Sequence, residues 1–140
     1  MELKKLHGSC LCEAIQYEIS DNLYSACCHC SECRRFSGSA FSAMGGIKKG
    51  DLEVTSGVEL IRYYQKTDAS NMAFCGNCGS SLFVDKPLKD LIHIRLGTLA
   101  ESPTLLPQTH VMVGSKAPWY EITDNLPQFN TEPPANAITS

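Results

Sequence analysis

The side chains of this 140-residue chain best suited to chemistry are its eight cysteines, and seven of them fall into closely spaced sets. These are Cys10-x-Cys12, Cys28-x-Cys30-x2-Cys33 and Cys75-x2-Cys78; Cys27 is left over. Cys75 and Cys78 lie in CGNCG, where Gly76 and Gly79 permit the tight turn that aims two thiolates at one ion, as in a zinc knuckle. Two sulfurs do not close a tetrahedron. The natural completion is Cys10 and Cys12, which can meet the knuckle across a sheet and give a four-thiolate zinc site. Such a site has no open position, so it is expected to staple the fold.

The middle set differs. Cys28, Cys30 and Cys33 offer three thiolates in one loop with no obvious fourth cysteine, because adjacent side chains on an extended segment face opposite ways and Cys27 turns from the ion that Cys28 would hold. Three protein ligands and a vacancy is the pattern of a catalytic zinc. Two other readings stay open: His29 could close a Cys3His site, which the same alternation argues against, or the cluster could be redox thiols without metal.

The neighbours of the set carry their own alternatives. Arg34 and Arg35 suit the carboxylates of a ligand, or are solvated charges pairing with Glu32. Ser37 and Ser39 can hydrogen-bond a ligand or simply make a turn. His93 and Arg95 share one face of a strand and His110 opens another, each read as a strand-surface or satisfied core residue. Trp119, the single tryptophan, is expected to pack in the core.

Composition narrows the classes. Twelve Lys+Arg against fifteen Asp+Glu leave a net charge of −3, with no basic tract longer than a pair, which disfavours a nucleic-acid partner. The opening MELKKLHGSC has no apolar run of signal-peptide type and nothing approaches a membrane span, so a cytoplasmic protein is expected, where thiols stay reduced.

The elements that must position these residues read as strands. Ile15, Tyr17 and Ile19 alternate with polar residues, as do Ile92, Ile94 and Leu96; further short strands are expected at 23–27, 40–44, 58–65, 71–75, 80–84 and 109–113 and in LEVTSG. Helix is expected only near 30–37. The chain therefore reads as one mainly β domain over residues 1–130, with a polar, Pro-containing tail at 131–140.

GSCLCEAIQYEI, CCHCSECRRFSGSAF, FCGNCGSSLF and THVMVGSKAPWYEITDNLPQF resemble, in order and spacing, the glutathione-dependent formaldehyde-activating enzyme family, which includes the centromere protein V group. The resemblance implies coiled antiparallel sheets with zinc knuckles, as in a zinc-binding chaperone of Rab GTPases. It implies two zinc ions per chain, a structural one on Cys10, Cys12, Cys75 and Cys78 and a catalytic one on Cys28, Cys30 and Cys33. The implied reaction is carbon-sulfur lyase chemistry joining formaldehyde to glutathione as S-hydroxymethylglutathione, with small-molecule thiol and aldehyde partners and a homo-oligomer compatible with the pattern; the guanidinium forks of Arg34 and Arg35, read from their own chemistry, suit the carboxylates of glutathione. Zinc would serve there as a template for the thiol or, alternatively, polarise the aldehyde oxygen. A second reading, from the centromere and chaperone relatives, is a non-enzymatic zinc-binding interaction module with both sites structural.

Overall fold

A computed structural model describes residues 4–21 and 23–132. The chain is mainly β, with ten strands and one short helix among those residues. The strands are β1 (Lys5–Ser9), β2 (Gln16–Ser20), β3 (Tyr24–Cys28), β4 (Ser42–Lys48), β5 (Leu52–Ser56), β6 (Ile61–Thr67), β7 (Ser70–Cys75), β8 (Ser81–Lys86), β9 (Leu91–Arg95) and β10 (His110–Val111). The helix α1 (Ser31–Ser37) follows β3. Three strands form a small sheet in the order β1-β2-β5, and seven form a larger one in the order β10-β3-β4-β9-β8-β7-β6. Pairing is antiparallel except that β10 runs parallel to β3, which the alternation of the sequence does not foretell.

The core lies where the two sheets face each other. Leu6, Tyr17 and Ile19 of the small sheet meet Ile47, Leu82, Phe83, Ile92 and Ile94 of the large one, all at 4% exposure or less. The period-two pattern at 15–19 and 92–96 is the reason: one face of each strand is apolar and goes inward. β1 was not expected as a strand; its LHG pattern is short, and its pairing with β2 from Lys5↔Ser20 to Ser9↔Gln16 supplies the order. Val58–Leu60, expected to begin a strand, is a 3-10 turn, and β6 starts at Ile61. The strand expected at 109–113 shrinks to two residues, because Met112 adopts φ 58° and turns the chain away.

Two registers place the chemistry. β3 and β4 align Cys28↔Ser42 and Ala26↔Met44, and β4 and β9 align Met44↔Arg95 and Gly46↔His93. Arg95 and His93 therefore come to the end of the sheet that carries Cys28. Gly46 is required there: a side chain on it would overlap the Tyr24 ring, which crosses it to bring its hydroxyl 3.2 Å from His93 Nε2.

The closing segment packs back on β10: His110 N donates to Pro127 O, Phe129 N to His110 O, and Met112 N to Thr131 O. Residues 133–140, most of the expected tail, lie outside the described residues. No described helix is long and apolar enough to cross a membrane.

Candidate metal and thiol sites

The four sulfurs of Cys10, Cys12, Cys75 and Cys78 lie within 4.8 Å of one another, with Cys10 Sγ 3.5 Å from Cys12 Sγ and Cys12 Sγ 3.9 Å from Cys75 Sγ. A tetrahedral zinc with bonds of about 2.3 Å places its sulfurs about 3.8 Å apart, so the set fits one ion. The backbone supports it as a knuckle should. Asn77 N and Cys78 N donate to Cys75 Sγ at 3.3 and 3.4 Å, and Ile15 N donates to Cys10 Sγ at 3.4 Å. The Asn77 amide reaches Cys12 Sγ at 3.3 Å and holds that thiol below its usual range, while burial pushes Cys10 up to about 11. Cys78, beside the Ser80 hydroxyl at 3.2 Å, falls to about 5. Cys10 and Cys12 follow the end of β1 in the small sheet, whereas Cys75 and Cys78 belong to the β7–β8 turn of the large one.

Cys28, Cys30 and Cys33 also bring their sulfurs within 4.8 Å of one another, and no histidine, carboxylate or further cysteine among the described residues joins that group. Cys28 ends β3 and Cys33 sits one turn into α1. Cys30 is the helix N-cap, its Sγ accepting from Cys33 N at 3.3 Å, and Gly38 closes the helix in the left-handed region at φ 69°. The three sulfurs compete for protons: hydrogen bonding to Cys30 raises Cys28, and the same contact with Cys28, then Cys33, lowers Cys30. A metal ion held by Cys28, Cys30 and Cys33 would remove that competition by keeping each of them as thiolate.

These sulfurs open into a cavity of about 250 Å³ whose apolar wall includes Met44, Met72, Val84 and Val111 and whose charged lining includes Lys86, Lys89 and Arg95. Arg95 is 6% exposed. Its Nη1 donates to Ser42 Oγ at 2.6 Å, its guanidinium lies 5.1 Å from the centre of the Phe36 ring, and its Nε has no partner among the described residues. Burial lowers its pKa and the Cys33 and Cys28 sulfurs raise it, so the guanidinium and these sulfurs act on each other electrostatically. His93 lies on the same wall, held neutral by burial and then by Lys86 and Arg95, with its pKa pushed down to about 4.

The alternation along β3 sends Cys27 and His29 to the other side. His29 is fully buried, its ring 5.0 Å from both the Phe41 and the His110 rings. His110 Nε2 lies 3.0 Å from Asp124 Oδ2, and His110 Nδ1 lies 2.8 Å from His29 Nε2. A carboxylate only accepts, so His110 donates from Nε2 and accepts at Nδ1 from His29, whose own Nδ1 is left without a partner among the described residues. The imidazole is thus committed to a buried polar chain, away from the sulfurs.

The arginines after the cluster sit elsewhere. Arg34 and Arg35 occupy the last turn of α1, where cations complement the helix dipole, and neither lines the cavity. Arg35 faces a neighbouring groove with Phe36 and Tyr64, and Glu32 pairs with Lys66 at 3.9 Å. Ser37 Oγ donates to the Arg34 and Phe41 carbonyls, and Ser37 and Ser39 line a wider, shallower cleft of about 460 Å³ that holds no cysteine, histidine or carboxylate. Trp119 corrects the expectation of a core aromatic: it is 72% exposed, because the turn closed by Tyr120 N on Ala117 O buries Ala117 and Tyr120 packs toward Phe41 instead. The cationic lining was missed from sequence. Lys86 and Lys89 sit in an ordinary charged segment, and only the β8–β9 and β4–β9 registers bring them to the cysteines.

The chain is mainly β and gathers seven cysteines into two sulfur sets, one four-sided and one three-sided beside a cavity, each close enough together to hold a metal ion. A family model of the glutathione-dependent formaldehyde-activating enzyme matches residues 5–115, and the chain belongs to that family. Over 82 residues it is 32% identical to an uncharacterised lyase of Schizosaccharomyces pombe, covering 58% of each chain. Over 99 residues it is 31% identical to an Emericella nidulans protein assigned by name as a glutathione-dependent formaldehyde-activating enzyme, covering 66% of this chain and 50% of that one. An Aspergillus flavus protein of the same assigned name is 30% identical over 96 residues. The matches thus span about half the length of these curated relatives. The fold is shared with a Rhodobacter sphaeroides protein of known crystal structure at TM-score 0.59 and 23% identity, covering 70% of this chain and 91% of that chain.

Proposed function

We propose that this chain forms and cleaves the carbon–sulfur bond between a small thiol and an aldehyde, with glutathione and formaldehyde as the pair that the family name suggests. The observation that carries the reading is the three-sulfur set of Cys28, Cys30 and Cys33 facing a partly apolar cavity without a fourth protein ligand among the described residues. A zinc ion held there would supply a fourth position at which a substrate thiol is kept deprotonated.

The chain's own residues do the rest. Cys28, Cys30 and Cys33 fix the direction in which a thiol approaches, and their three negative charges favour a thiol template over strong polarisation of a carbonyl. Arg95 offsets the charge that accumulates when a fourth thiolate joins them. Met44, Met72, Val84 and Val111 exclude water from the sulfur that must attack. In the reaction the thiolate sulfur forms the new bond to carbon, the carbonyl π pair moves to oxygen, and a proton equivalent to the one the thiol lost is taken up there. Cys10, Cys12, Cys75 and Cys78 serve in this reading as a closed structural zinc site.

The test is exchange of ¹³C-formaldehyde with glutathione, followed by NMR on protein loaded with zinc under reducing conditions. Exchange above the uncatalysed rate is expected, lost in Cys30→Ser while one zinc per chain remains by native mass spectrometry. No acceleration by the doubly loaded protein with any small thiol would overturn the proposal and leave the interaction-module reading standing.

A further inference from the structure

We propose that Lys86 and Lys89 form an anion-reading end of the Cys28–Cys30–Cys33 cavity, so that the thiol this chain accepts carries a carboxylate. The inference rests on the reading of that set as an open thiol site and adds to it which residues choose the substrate.

Lys86 ends β8 and Lys89 ends the 3-10 turn Pro87–Lys89, so both belong to the β8–β9 corner of the large sheet, and both line the cavity. Neither lysine has an ion pair among the described residues. Lysines nearby do: Lys49 holds Asp85 at 3.0 Å and Lys66 holds Glu32. The two lysines are also near the cavity wall, since both act with burial to keep His93 neutral.

The acidic groups on the same lining are Glu32, already tied to Lys66, and Glu132. Arg95 is engaged by Ser42 through Nη1, lies over Phe36 and interacts with the Cys33 and Cys28 sulfurs, with only its Nε unpartnered among the described residues. Unengaged cations thus outnumber the unengaged carboxylates in a cavity whose lining also holds the sulfurs and an apolar surface. Sulfurs and unpaired cations lining one cavity suit a bifunctional ligand, with sulfur at one end and a carboxylate at the other. Arg34 and Arg35, outside the cavity, cannot take this role without α1 moving.

The protein loaded with Co(II) under reducing conditions gives a direct readout, because a thiolate joining the ion adds a charge-transfer absorption. Titration compares 3-mercaptopropionate, 2-mercaptoethanol and cysteamine, which differ in the charge of the far end. The anionic thiol is expected to bind about tenfold more tightly than the cationic one, the scale of one charge-assisted contact. The gap should narrow with salt. In the double variant Lys86→Gln/Lys89→Gln the gap should close while 2-mercaptoethanol binds as before, and in Arg34→Gln/Arg35→Gln it should persist. Equal binding of all three thiols, or a preference that survives loss of both lysines, overturns the inference while leaving the thiol site intact. Absence of absorption change with every thiol, 2-mercaptoethanol included, overturns the open-site reading and this inference with it.

Discussion

Arg95 decides how much negative charge the three-sulfur set can tolerate. Three thiolates around a divalent ion leave one net negative charge, and a buried guanidinium interacting with the Cys33 and Cys28 sulfurs offsets it without occupying a coordination position. Replacing Arg95 by Gln should weaken metal binding at Cys28, Cys30 and Cys33 by roughly tenfold or more, the usual effect of losing an outer-shell partner. Competition with a chromophoric chelator would measure it, with the affinity of the Cys10 set unchanged as the internal control. Sequence made the cysteines themselves legible, since thiols at knuckle spacing have few other uses. Alternation also placed Cys27 and His29 on the side opposite the sulfurs. Arg95 was not legible as a neighbour of Cys28, because the two lie 67 positions apart and meet only through β4.

β3 works with α1 and β10 as one unit. β3 delivers Cys28, the helix that follows supplies Cys33, and β10 runs parallel alongside with His110↔Cys27 in register. The chain from buried His29 through His110, 2% exposed, to the solvent-facing carboxylate of Asp124 ties this unit together. Removing His110 strands His29 with both ring nitrogens unpaired. His110→Ala is expected to cost about 2 kcal/mol, from the unmet polar group and the lost packing. Urea unfolding of the metal-loaded protein would show a lower midpoint at unchanged slope; an unaltered midpoint would mean that the chain of contacts contributes nothing. Asp124→Asn should cost less, since the amide oxygen still accepts from His110. The helix near 30–37 and the strands around 15–19 and 92–96 were legible from local pattern. The two-residue parallel strand was not: its partner is supplied by a long-range pairing, and His110 alone carries no local sign of His29.

At the scale of the molecule, a metal ion on Cys10, Cys12, Cys75 and Cys78 would tie the segment after β1 to the β7–β8 turn, and so one sheet to the other. Metal binding at a closed thiolate site is folding free energy, so stripping it should lower the melting temperature by about 10 °C or more. Differential scanning calorimetry with and without a strong chelator, and of Cys75→Ser, would test this; a melting temperature indifferent to both would remove the structural role. The class of fold was legible, because many short alternating segments without a long helical pattern leave little else. Strand order was not, since it depends on long-range pairings such as β4 with β9 that no local pattern encodes. The partition along β3 carries one more consequence. If the ion is lost and an oxidant is present, Cys28, Cys30 and Cys33 can close a single disulfide, and the sulfur left over is the one that captures a thiol from solution as a mixed disulfide. Cys27, 6% exposed and pushed up to about 11 by burial, stays a protonated thiol through this, so an odd-numbered cluster leaves the protein tagged by one external thiol per chain.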